Sequence, residues 1–226
     1  MRFEILPGLP PYGPMALSFT KKGASEHREG LVVRFHPKES ASWVGNFIGA
    51  PTGFTTVLDH PNERDVIVVA QGDACIIDPG HCAVRDRIAA DVQSTYSLPS
   101  LGMVVLQRST DFTSIRAYGT GWQSPRISWD GFRNISVSDT RLSGEAYTPV
   151  GDEWEPFTLD LLTGSCADGI YEKEMATAVL VSPGESLHQR LQNRLRCLSM
   201  NWRFTLVPWL RTMLAKLALR RSRKRN

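Results

Sequence analysis

What this 226-residue chain lacks already narrows its function. It has no apolar run approaching the ~20 residues that a membrane-spanning helix needs, so a helical transmembrane span is excluded. The opening MRFEILPGLPPYGPM has no apolar core of the signal-peptide kind, and its prolines break any helix. The expectation is a cytoplasmic protein. Four cysteines, Cys75, Cys82, Cys166 and Cys197, contain no CxxC pair and no compact framework, which argues against a disulfide scaffold. G-x-S-x-G elbows, H-E-x-x-H helices and Gly-rich phosphate loops are all missing, and with them the sequence signatures of the commonest hydrolases, metalloproteases and nucleotide enzymes.

Acidic residues run out as well. None follows Glu185, while residues 187–226 carry eleven of the 26 Lys and Arg. The remaining 15 basic residues face 23 acidic ones, so an acidic body precedes a strongly basic tail although the net charge is only +3. Hydrophobic residues at 42% and charged residues at 22% are ordinary for a globular chain, so a sizeable core is expected.

Strand patterning dominates what is present. Residues 122–164 alternate apolar and polar positions between turn signals. Ile127 and Trp129 precede Asp130-Gly131. Ile135 and Val137 precede Ser138-Asp139. Phe157, Leu159 and Leu161 precede Thr163-Gly164. Period-two spacing bounded by such dipeptides predicts an antiparallel meander. The Asn134-Ile135-Ser136 sequon reads as strand on the expectation that the chain is not secreted. Upstream, strands are predicted at 31–35, 43–48, 54–58, 66–70, 74–77, 103–107 and 114–118, with Gly119-Thr120-Gly121 as a hairpin turn. The runs VIVVA and MVVLQ are continuously apolar enough to be buried on both faces. Residues 83–93 predict a short helix, because Val84, Ile88 and Val92 recur every four residues.

The segments 66–80, 103–119 and 141–164 share a pattern of strand, Asp-containing turn, strand and Gly stop. The last of them, Leu159-Asp160-Leu161-Leu162-Thr163-Gly164, resembles the blade endings of β-propeller repeats. A propeller blade takes roughly 40 residues, so residues 53–164 leave room for fewer than three. The expected fold is therefore mainly β, an antiparallel meander that is sandwich-like or, alternatively, incomplete and propeller-like. Residues 1–30 form a Pro/Gly-rich arm, 31–175 the β domain, and 176–226 a basic amphipathic helical tail.

In that tail Ser186-Leu187-His188-Gln189 fits a capping box. Leu187, Leu191, Leu195 and Leu198 then share one helical face, and Pro208 suits the first turn of a second helix. Its stripe is Trp209, Leu210, Met213, Leu214 and Leu217, with Arg211 and Lys216 off the stripe. The candidate contact set is Trp209, Arg211, Lys216, Arg220, Arg221, Arg223, Lys224 and Arg225. Such charges bind anionic lipid or nucleic-acid phosphate, and the leucine stripe can equally dock on the chain's own body.

No catalytic residue, cofactor or metal is expected. Cys75, Asp78, His81 and Cys82 are of ligating type but lack zinc spacing. Asp152, Glu153 and Glu155 around Trp154 are too few for calcium. Asp59-His60 and Asp78 with His81 are the only acid–base pairings worth following, and neither lies beside a nucleophile in sequence. The leading expectation is a non-catalytic interaction protein with a protein partner. Membrane-surface or nucleic-acid binding through the tail is the alternative, and a hydrolase or metal-dependent enzyme centred on His60 and His81 is the second alternative.

Overall fold

The computed structural model describes residues 2–20, 28–50 and 53–166. The tail at 176–226, with its expected helices and its contact set, lies outside the described residues. Among the described residues the protein is mainly β, with no α-helix and a single 3₁₀ turn at Pro99–Leu101.

Four sheets follow one another along the chain. The first joins β1 (Phe3–Leu6), β2 (Leu17–Phe19), β3 (Leu31–Phe35) and β4 (Trp43–Phe47) in the order β1-β3-β4-β2. The second is the meander β5 (Thr56–Asp59), β6 (Val66–Ala70), β7 (Asp73–Asp78) and β8 (Ala83–Ala89). The third runs β9 (Val92–Leu98), β10 (Met103–Arg108), β11 (Phe112–Arg116) and β12 (Gly119–Gln123). The fourth holds β13 (Phe132–Ser138), β14 (Arg141–Thr148) and β15 (Glu153–Asp160). All the strand pairs are antiparallel except β2 with β4. The two strands of the N-terminal segment thus form opposite edges of the first sheet.

Side-chain alternation explains how the sheets stack. Successive residues of a strand point to opposite faces. On β6, Val66, Val68 and Ala70 join Val33, Phe35 and Phe47 of the first sheet in one core cluster. Ile67 and Val69 of the same strand join Val104, Leu106 and Ile115 of the third sheet in another. On β10 the alternate residues Met103 and Val105 join Phe112, Leu142, Phe157 and Leu159 in a cluster with the fourth sheet. The second and third sheets therefore bury both faces, which is why VIVVA and MVVL carry no polar alternation. Each fully buried aliphatic side chain contributes roughly 1.5–3 kcal/mol.

Four expectations are corrected. Residues 83–93 form β8 and the start of β9, not a helix. Register shifts opposite Ala74/Cys75 and Ile76/Ile77 place extra residues in β8. Two bulges stretch a strand's apolar spacing towards the helical one. Ile127 and Trp129 lie in a loop rather than a strand. Ile127 is nevertheless fully buried, and its N–H donates to Thr110 O at 2.9 Å. Asp130-Gly131 consequently does not turn one strand into another. Gly119-Thr120-Gly121 opens β12, with Arg116 pairing Gly119 across the turn at 117–118. A Cβ on Gly121 would lie 2.7 Å from Ser114 Oγ, so this glycine serves close strand approach and not reversal. Finally, the sheets β5–β8, β9–β12 and β13–β15 each need only about 30 residues, so three of them fit within residues 53–164, where the 40-residue repeat allowed fewer than three.

Candidate functional site

Pairing across the second sheet brings its candidate residues to one end. Asp59 pairs with Val66, Val66 with Ile77, and Asp78 with Ala83. The β5–β6 loop (60–65) and the β7–β8 turn (79–82) therefore leave the sheet side by side.

The first loop is built by Asn62. Its side-chain oxygen accepts the backbone N–H groups of Arg64 (3.0 Å) and Asp65 (2.9 Å), an Asx turn that lets Glu63 sit at φ 58. Its amide donates to Asp65 Oδ2 at 2.8 Å. His60 is 2% exposed, and its Nδ1 accepts the Asn62 N–H at 3.1 Å. The neutral ring thus carries its proton on Nε2, which has no hydrogen-bond partner. Burial pushes the His60 pKa below its ordinary value, against the opposing pull of the Asn62 bond and the Asp65 charge.

The second turn is built by Asp78. Its Oδ1 accepts from the N–H groups of Gly80 (3.0 Å) and His81 (3.2 Å). Its Oδ2 accepts from His81 Nδ1 (3.0 Å) and Arg85 Nη2 (2.6 Å). Burial raises this carboxyl, but the His81 and Arg85 hydrogen bonds outweigh it and hold the pKa below the usual aspartate range.

Arg85 joins the two halves. Beside its bond to Asp78, its Nε lies 3.0 Å from Asp65 Oδ2. The result is a continuous polar chain, His81–Asp78–Arg85–Asp65–Asn62–His60. Its flanks are tied to the first sheet. Arg2 donates to the carbonyls of Glu63 and Asp65 and pairs with Asp59 at 3.2 Å, and Trp43 Nε1 donates to Pro79 O at 2.8 Å.

His60, His81, Asp59 and Asp78 thus belong to one end of one sheet, where Asp78 and His60 Nδ1 accept the backbone N–H groups of their own turns and Asp59 pairs with Arg2. A carboxylate that already accepts four donors is a poor proton acceptor, as its lowered pKa records. The thiol of Cys75 on β7 is buried and pushed up to about 12, and that of Cys82 in the turn itself is also raised, by burial and by the Asp78 charge, so neither is a ready thiolate nucleophile. Among the described residues no three His, Cys, Asp or Glu side chains are grouped to hold a metal. Sequence reasoning missed Arg2, Asn62, Asp65 and Arg85. The signal for Asn62 was the N-E-R-D spacing of an Asx turn. Arg85 was hidden by the helical reading of its strand, and Arg2 by its distance along the chain.

Trp154 lies on β15. It pairs with Tyr147 on the outer side of the fourth sheet, their ring centroids 5.4 Å apart. The Arg133 guanidinium stands 4.6 Å over the Trp154 ring and bonds Glu145. Tyr147 Oη donates to Asp152 at 2.9 Å, and this bond to the carboxylate raises the phenol pKa. Of the acids around Trp154, Asp152 is thus engaged by Tyr147.

No helix among the described residues is long and apolar enough to cross a membrane. Among solved structures, the chain is similar to one described as a crystal structure of the eukaryotic initiation factor, at 13% identity and a TM-score of 0.36, covering 61% of this chain and 38% of that one. It is also similar to hydrazine synthase of Kuenenia stuttgartiensis, at 10% identity and a TM-score of 0.27, covering 53% of this chain and 49% of that one. The chain spans less than half the length of either structure. No protein-family model matches the chain, and neither does any curated protein.

Proposed function

We propose that this is a non-catalytic interaction protein of the cytoplasm, a propeller-like array of sheets that offers its loops to a protein partner. The carrying observation is the stacking itself: β6 and β10 each place alternate residues in two different core clusters, so the sheets support one another face to face. Binding residues concentrate on loops held by such rigid frameworks. The His60–Asp78 network favours the same reading, because its side chains hold two neighbouring loops in fixed shape. Cys75 and Cys82, neither of them in a disulfide, fit a reducing compartment.

The test is affinity capture with the full chain, followed by reconstitution with the purified partner. A second full-length version carries Gln at Arg211, Lys216, Arg220, Arg221, Arg223, Lys224 and Arg225. A partner that binds both versions, with little response to salt, is the expected result. Capture of anionic vesicles or an oligonucleotide alone, lost on neutralising the tail and weakened by salt, overturns it. That outcome is the second reading, carried by the eleven basic residues of 187–226 and the absence of acids among them.

A further inference from the structure

The N-terminal connection from β1 to β2 holds four prolines in eight residues, Pro7, Pro10, Pro11 and Pro14. Each fixes its own φ near −65° and drives the residue before it into an extended conformation. Leu9-Pro10-Pro11 is therefore biased to polyproline II by covalent geometry alone. Gly13, at φ 106, turns the chain immediately after Tyr12.

This connection is long for the gap it closes. In the order β1-β3-β4-β2 its ends sit on opposite edges of the first sheet. Three strand spacings separate them, roughly 14 Å. Leu6 and Leu17 stand at adjacent levels, since Leu6 pairs with Val32, Val32 with Asn46, and Leu17 with Gly45. The ten intervening residues could reach over 30 Å when extended. The slack allows the middle of the connection to stand away from the sheet while both ends remain paired.

Exposure follows that geometry. Tyr12 is 90% exposed and Met15 92%, with Leu9 at 42%. Leu9 is anchored through its backbone, its N–H donating to Glu29 Oε2 at 3.2 Å. In a polyproline II helix residues i and i+3 share one face, about 9 Å apart. Leu9 and Tyr12 have that spacing in sequence, with Pro10 and Pro11 between them, although the unbound chain bends from Pro11 to Pro14, so Tyr12 comes into line with Leu9 only on binding. Domains that read this conformation do so with aromatic-lined grooves, and they gain from a ligand already ordered before binding. No Lys or Arg lies between Phe3 and Thr20, so a groove that depends on a basic flank finds none.

We infer that Leu9-Pro10-Pro11-Tyr12 is a displayed ligand for a proline-reading partner domain of the WW kind, with Tyr12 as the principal anchor. This rests on the interaction reading above and names a partner class for it.

The test titrates the full chain against a panel of purified WW domains by calorimetry, in parallel with Pro11→Ala, Tyr12→Ala and Met15→Ser. At least one domain is expected to bind with micromolar affinity. Pro11→Ala and Tyr12→Ala should each weaken it by about tenfold or more, Met15→Ser should leave it unchanged, and all three should unfold at the wild-type temperature. No binding across the panel, or a Tyr12→Ala variant that binds as the wild type does, overturns the inference. So does adsorption to neutral lipid vesicles that Tyr12→Ala abolishes in the absence of WW binding. A partner from affinity capture that ignores Tyr12 removes this inference and leaves the general interaction reading standing.

Discussion

Arg85 Nε and Asp65 Oδ2 stand 3.0 Å apart, joining a strand to a loop that lies some twenty residues earlier in the chain. Asp65 has only 2% of its side chain exposed, whereas Arg85 keeps 47%. Removing the guanidinium in Arg85→Met strands a buried carboxylate, which costs about 3–5 kcal/mol for a fully buried pair. The half-exposed arginine is solvent-screened, so about 2 kcal/mol is expected here. The double variant Asp65→Leu/Arg85→Met should lose clearly less than the two single variants combined. Urea denaturation of all four proteins measures this, and simple additivity would mean the pair is not coupled.

His60 sets a pH dependence of known sign. Its folded pKa lies below the ordinary 6.5, so below that value the unfolded chain binds the proton more readily than the folded one. Stability contributed by the neutral ring is complete above 6.5 and is lost as pH falls towards the folded pKa. His60→Gln keeps an acceptor for the Asn62 N–H without titrating. Denaturation midpoints for wild type should fall between pH 7.5 and 5, and those of the variant should fall less. Parallel curves would assign the acid sensitivity to other groups. Asp78, whose folded pKa is lowered, acts in a separate window below the aspartate range.

Gly49 tests how closely the first and second sheets approach. A Cβ there would lie 1.9 Å from Ala70 O. That neighbour is backbone at the end of β6 and cannot rotate away. Gly49→Ala should therefore destabilise by about 1–3 kcal/mol through strain. Gly80→Ala is a useful comparison, since its new Cβ would meet only Asp78 Oδ1 at 3.4 Å. Thermal unfolding should separate the two variants clearly.

Much of this fold was legible because burial on two faces leaves a strong mark. VIVVA and MVVLQ could be placed as interior strands directly, and the shared strand-turn-strand segments coincide with the hairpins β6–β7, β10–β11 and β14–β15. Bulged and polar strands were not legible. β8 mimics a helix because two register shifts alter its spacing. β9, VQSTYSL, carries few large apolar residues and shows itself only through pairing with β10. Of the site, Asp59, His60, Asp78 and His81 were visible as residue types near turns. Their linkage through Arg85 required β8 to be known as a strand. Arg2 required a contact across some sixty residues, which no local pattern encodes.

The two-faced packing of the inner sheets can be tested by mutational coupling. Ile67 of β6 and Leu106 of β10 belong to the same core cluster, between the second and third sheets. Met103, also on β10, belongs to the next one. Ile67→Val should cost about 1 kcal/mol, and Leu106→Ala and Met103→Ala about 3 kcal/mol each. Within one cluster the neighbours relax into the same space, so Ile67→Val with Leu106→Ala should depart from additivity by roughly 0.5 kcal/mol or more. Ile67→Val with Met103→Ala should add, because a strand backbone and its opposite face separate the two sites. Denaturant unfolding of the five variants decides this. Equal coupling in both pairs would mean that the sheets share one continuous core, and that β10 does not divide it.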